Sequence, residues 1–151
     1  MDLILWRHAE AEEHAADDLR RRLTSKGRKQ AKHAAQWLLQ RLPARFSVLA
    51  SPALRAHQTA QALGVPIKVD DALAPGASPK AIVEAAGWPQ FKGAMVIVGH
   101  QPDLGRALAT LVCGAQASWS IKKGAFWWIS NRVREGDAQV VVRAVISPDL
   151  L

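Results

Sequence analysis

The run Leu3-Ile4-Leu5-Trp6 constrains the fold more than any other stretch, because it is apolar at every position and Arg7-His8 follow at once. Strict alternation would mark a strand with one wet face. A short run without a polar break marks a strand buried on both faces. Residues 94–98, Ala-Met-Val-Ile-Val, repeat the pattern and run into Gly99-His100. Two such strands call for a mostly parallel sheet covered by helices on both sides. Open sheets of this kind place their ligand sites beyond the carboxyl ends of the strands. Arg7, His8 and His100 all stand there.

The rest of the chain supplies the helices. Ala31, Ala35, Leu38 and Leu42 recur at helical spacing. They predict a helix that starts near Leu23-Thr24-Ser25-Lys26-Gly27, is capped by Thr24 or Ser25, and is ended by Pro43. Phe46–Ala50 reads as a strand. Pro52 suits the first turn of a second helix, which carries Leu54, Arg55, Thr59 and Leu63 to a stop at Gly64. Residues 65–69 form a short strand that Pro66 confines to an edge. A loop over residues 70–79 leads to a short helix over 79–86. Pro102 and Asp103 open a last helix that ends at Gly114, in whose apolar stretch Cys113 is expected to be a buried thiol. Residues 125–130 and 139–146 read as an antiparallel pair joined across 131–137. Residues 9–22 read as a loop with at most a helical turn. The order β-α-β-α-β-α-β-α-β-β predicts the α/β class. The expected architecture is a three-layer sandwich with a mostly parallel central sheet, helices on both faces and a C-terminal antiparallel hairpin. We expect residues 1–151 to form one domain.

Composition narrows the function. With one cysteine there is no internal disulfide and no cysteine zinc cluster. Met1-Asp2 is followed by only a few apolar residues and then charges, which is not a signal peptide. No segment approaches the roughly 20 apolar residues of a membrane span, so the expected location is the cytoplasm, with no membrane partner. The net charge of +7 favours anionic partners. Acidic residues from Glu10 to Asp18 precede a basic run from Arg20 to Lys32. That run raises a nucleic-acid-binding module as an alternative from another class. Its cations are not interleaved with aromatics, however, and no RNP, KH, zinc-finger or helix-turn-helix pattern accompanies them. No Gly-x₄-Gly-Lys-Ser/Thr and no Gly-x-Ser-x-Gly occurs. His8 and His100 lack acidic partners at metal-ligand spacing, so no metal and no cofactor are expected.

If the strands are parallel, Arg7, His8, Arg55 and His100 converge on one sheet edge beside helix N-termini, where free amides favour an anion. Two guanidinium forks match the oxygens of a phosphoryl group. A neutral imidazole can attack phosphorus and split one transfer into two easier steps. Nearby positive charge disfavours protonation and keeps that ring neutral.

Leu5-Trp6-Arg7-His8-Ala9-Glu10 resembles the Arg-His-Gly/Ala signature of the histidine phosphatase superfamily, also called phosphoglycerate-mutase-like. Leu23-Thr24-Ser25-Lys26-Gly27 is similar to its leucine-threonine-x-x-glycine helix start. Ser51-Pro52-Ala53-Leu54-Arg55-Ala56-His57-Gln58-Thr59 is similar to its serine-proline-x-x-arginine-alanine-x-x-threonine stretch, and Val98-Gly99-His100-Gln101-Pro102 to its second-histidine segment. The four lie in the family's order over residues 3–104. The resemblance implies that His8 is the phosphorylated nucleophile and that Arg7, Arg55 and His100 surround the phosphoryl oxygens. It implies that Arg21 helps to bind substrate. His14, His33 and His57 match no catalytic position, and Gln101 and Ala9 stand where asparagine and glycine are frequent in the family.

Many family members carry an acidic proton donor after the third strand, where this chain has Leu73-Ala74-Pro75. An alkoxide leaving group needs such a proton more than an imidazole does. Asp71 and Glu84 are the nearby candidates for a general acid. At 151 residues there is also little room for inserts that cover the site. Both features, with Ile121-Lys122-Lys123-Gly124, resemble the SixA-type phosphohistidine phosphatases. The expected partner is a phosphorylated protein, such as a histidine phosphotransfer domain, with a small phosphate ester as the alternative.

Overall fold

A computed structural model describes residues 1–151. The strands are β1 (Asp2–Arg7), β2 (Phe46–Ala50), β3 (Lys68–Val69), β4 (Ala94–Gly99), β5 (Phe126–Arg134) and β6 (Asp137–Ile146). The helices are α1 (Ser25–Leu39), α2 (Leu54–Gln61), α3 (Pro79–Ala85) and α4 (Asp103–Cys113). All six strands join one sheet in the order β3-β2-β4-β1-β5-β6. The first four in that order pair in parallel, and β1-β5 and β5-β6 are antiparallel. Long crossovers deliver the parallel strands, and a tight turn delivers the final hairpin.

The two apolar runs lie side by side at the centre. β1 sends Ile4 and Trp6 into the layer of α1 and α2, where Ala31, Ala35, Leu38, Ala56 and Ala60 meet them. It sends Leu3 and Leu5 to the opposite layer, against Ile82 of α3 and Leu104 and Leu108 of α4. Leu3, Ile4, Leu5 and Trp6 are all fully buried, which is why no polar residue interrupts them. Trp127 and Trp128 fall on opposite faces by the same alternation. No helix is long and apolar enough to cross a membrane.

Local chemistry sets the helix limits. Thr24 caps α1 by accepting the Gly27 N–H at 3.0 Å, and α4 stops at Gly114 in the left-handed conformation. Gly27 has a second duty. A Cβ there would lie 1.9 Å from the carbonyl oxygen of Glu10, so only glycine lets α1 press against the backbone just past His8. Gly27→Ala is therefore expected to destabilise the protein by about 1–3 kcal/mol, as overpacking does. Urea unfolding checks this, and an unchanged midpoint would contradict the contact.

Four expectations need correction. Pro52 is not in the first turn of α2, which begins at Leu54 after Ala53. The edge strand keeps only Lys68 and Val69, because Pro66 offers no N–H to the ladder. The hairpin is longer than expected: residues 131–134 and 137–138 remain paired, and only Glu135-Gly136 turns. Cys113 is exposed, since the last turn of α4 runs past the core.

Candidate active site

Strand register builds the site. Trp6 pairs with Val98 and Arg7 with Gly99 in parallel, so the next residues, His8 and His100, leave the sheet side by side. Their ring centroids are 5.3 Å apart. Ala50 pairs with Val98 on the other side of β4, which sets Ser51 beside Gly99, one residue short of His100. Its hydroxyl lies 2.7 Å from His100 Nε2. The crossover after β2 then supplies Arg55 from the first turn of α2.

Arg55 is 5% exposed. Its Nε donates to His8 Nε2 at 3.3 Å, and its Nη2 lies 3.5 Å from His100 Nδ1. The outer side of the same guanidinium is held by Asp18, through the backbone carbonyl at 2.8 Å and the carboxylate at 3.1 Å. Arg21 donates to the Asp18 carboxylate at 3.1 Å and to the Glu12 carbonyl at 2.6 Å. These two arginines hold the Asp18 carboxyl below its usual range, the bond from Arg21 most strongly. The 3₁₀ turn Asp18–Arg20 thus ties the loop after His8 to α2.

His8 has a defined tautomer. Its Nδ1 lies 2.8 Å from the Ala9 carbonyl, an acceptor, so Nδ1 carries the proton. Nε2 is left with its lone pair toward Arg55. The Ala9 N–H donates to Thr59 Oγ1, which in turn donates to the Arg55 carbonyl at 2.7 Å. Arg7 donates from Nη1 to the Ile121 carbonyl at 2.7 Å, while its buried Nε has no partner.

Both imidazoles are strongly depressed. Burial, reinforced by the charges of His100, Arg55 and Arg7, pulls His8 down to about 3. Burial, then Arg55, pulls His100 down to about 4. An unfolded imidazole binds a proton near pH 6.5, so between about pH 3 and 6.5 the unfolded chain holds more protons than the folded one. These rings therefore contribute stability that is complete above pH 6.5 and is lost as the pH falls toward 3. Imidazole NMR from pH 8 to 5 is expected to leave both rings neutral. A midpoint near 6.5 for either would contradict this geometry.

The four side chains open into a cavity of about 430 Å³ that no hydrophobic residue lines. Arg7, Arg21, Arg55, Arg106 and Lys123 set five cations around it against one carboxylate, Asp103. All five site residues expected from the sequence line it. Asp71 and Glu84 do not. Asp71 lies in the 3₁₀ turn after β3, and Glu84 pairs with Lys80 on the outer face of α3. Pro75 and Gly76 occupy that part of the wall and carry no side-chain proton donor. Asp103 is pinned there, accepting the Gly76 N–H at 2.8 Å. No cluster of three His, Cys, Asp or Glu side chains that could hold a metal ion is formed.

Asp18, Ser51, Thr59, Asp103, Arg106 and Lys123 escaped the sequence reading. Arg106 had a usable signal, because it follows Asp103 at i, i+3 in the first turns of the helix after His100.

The profile of the histidine phosphatase superfamily (branch 1) matches residues 3–75. An uncharacterised protein of Picosynechococcus sp. is 41% identical over 128 residues, covering 76% of this chain and 74% of the relative. The structure of the protein histidine phosphatase SixA complexed with tungstate superposes with a TM-score of 0.84 at 26% identity, covering 99% of each chain. A protein assigned as a phosphohistidine phosphatase SixA from Nakamurella multipartitia gives 0.81 at 28% identity over 97% of this chain and 95% of that one. With the family profile on residues 3–75 and a fold shared across nearly the whole of these structures, the chain belongs to the histidine phosphatase superfamily, in its SixA-type branch.

Proposed function

We propose that this chain, acting as one catalytic domain, is a phosphatase that hydrolyses phosphohistidine on a protein through a phosphorylated His8. The observation that carries the choice of substrate is the cavity wall at Pro75-Gly76, which offers no proton donor to a leaving group. The lining carboxylate, Asp103, holds a backbone N–H, and the Asp18 carboxylate, below its usual range, stays ionised on Arg55 and Arg21.

In the first step the His8 Nε2 lone pair attacks phosphorus. The Nε2–P bond forms as the P–N bond of the substrate breaks, and a substrate imidazole protonated on its other nitrogen leaves as a neutral ring. An ester would instead expel an alkoxide, which needs a proton that this wall does not provide. Arg7, Arg55 and His100 surround the transferring oxygens, where charge develops. Water then attacks the phosphorylated His8, releasing inorganic phosphate and restoring the neutral ring. The tautomer fixed by Ala9 keeps Nε2 free for both steps. The likeness to a structure of SixA holding tungstate, an oxyanion, supports the anion site.

The test compares kcat/KM for a phosphohistidine-bearing phosphotransfer protein with that for aryl and alkyl phosphates. We expect the phosphoprotein to be favoured over alkyl esters by about 10²-fold or more, the scale of a missing general acid. Equal or better hydrolysis of alkyl phosphates would overturn the substrate assignment and leave the His8 chemistry standing.

A further inference from the structure

Arg106 and Lys123 line the His8 cavity but make no hydrogen bond to His8, Arg55 or His100, which with Arg7 are the groups proposed to hold one phosphoryl group. Arg106 comes from α4, and Lys123 from the segment that the Trp6 indole N–H and the His8 carbonyl tie to the end of β1 through Gly124. Both side chains are exposed, and neither belongs to any ion pair. Arg106 is also a wall of a second hollow, about 940 Å³, between α3 and α4. There Glu84 is paired with Lys80, which leaves Arg106 as the unpaired charge on the wall that the two spaces share. The rest of that wall is mostly apolar, from Pro79, Val83 and Leu111, with Ser78, Thr110 and Gln116 as polar points along it.

Resting on the phosphohistidine reading, we propose that Arg106 and Lys123 bind carboxylates that flank the phosphorylated side chain on the protein substrate. The substrate segment leaves the His8 cavity past Arg106 and lies in the hollow between α3 and α4. Two observations point to a protein with acidic residues there. The cavity holds more cations than one phosphoryl group uses, and one of them, Arg106, also walls a second hollow that a small ester in the cavity would not reach. Exposed cations at the rim of a site act on encounter and on KM more than on the chemical step, and their effect fades with salt.

The experiment uses the double variant Arg106→Glu/Lys123→Glu, with thermal unfolding to verify the fold. Its substrates are a phosphohistidine phosphotransfer protein, free phosphohistidine and an alkyl bisphosphate. We expect the ratio of kcat/KM for the phosphoprotein over free phosphohistidine to fall at least tenfold, chiefly through KM. The salt dependence with the phosphoprotein should flatten, and Arg106→Lys with Lys123 intact should keep most of the selectivity. An unchanged ratio would overturn the proposal, as would a larger loss on the bisphosphate than on the phosphoprotein, which would make the pair a second phosphate site. Wild-type enzyme that ignores the phosphoprotein would bring down the underlying substrate reading and this one with it. That failure is seen without any variant.

Discussion

Arg55→Ala is expected to lower kcat/KM for phosphoryl transfer by about 10³–10⁵-fold, the scale of one arginine aimed at a transferring phosphoryl group. The geometry explains why the loss should be that large. One buried guanidinium reaches the His8 Nε2 and lies beside the His100 Nδ1, while its outer edge is fixed by Asp18. Its orientation is thus set before substrate arrives, so little reorganisation is left for the transition state. Arg55→Lys keeps the charge but loses the fork, and should recover only a small part of the rate. Because Arg55 is buried, the variant also strands the neighbouring groups, and its stability must be measured beside its kinetics. A loss under tenfold with an intact fold would place the phosphoryl group elsewhere.

His8→Ala is expected to remove activity by about 10⁴-fold or more, since the covalent route disappears with the ring. The same change should not cost stability in proportion. His8 is a buried imidazole kept neutral, so its removal deletes a group that opposes folding below pH 6.5. The variant should therefore lose less stability than wild type when the pH is lowered from 7 to 4. Steady-state kinetics and urea unfolding at the two pH values check both halves. Activity retained with His8→Ala would end the mechanism.

What could be read from the sequence depended on how each element is stabilised. β1 and β4 were legible because burial on both faces removes polar residues from Leu3-Ile4-Leu5-Trp6 and from residues 94–98. Residues 131–134 were not, because Asn131-Arg132-Val133-Arg134 extend the hairpin on backbone hydrogen bonds while their side chains face mostly outward. β3 was legible as an edge strand but not in its length, since it keeps two residues, both exposed, and no burial pattern marks its ends. Arg7, His8 and His100 were legible because each stands at a strand end, and Arg55 because it opens the helix after β2. The groups that hold them were hidden. Asp18 reaches Arg55 from a loop 37 residues away, and Ser51 meets His100 only through the β2-β4 register. Asp71 and Glu84 were near the site in sequence but are carried outward by the 3₁₀ turn and by α3. Chemistry at strand ends is written in the sequence, and the long-range contacts that orient it are not.

The proposed mechanism turns on the covalent step at His8 Nε2. Rapid acid-free quenching during turnover, followed by ³¹P NMR and peptide mapping, tests it directly. The expected result is a phosphoryl group on Nε2 of His8 that survives base, is lost in acid, and is absent from His8→Ala. A phosphoryl group on another residue, or none during turnover faster than its hydrolysis, would contradict it.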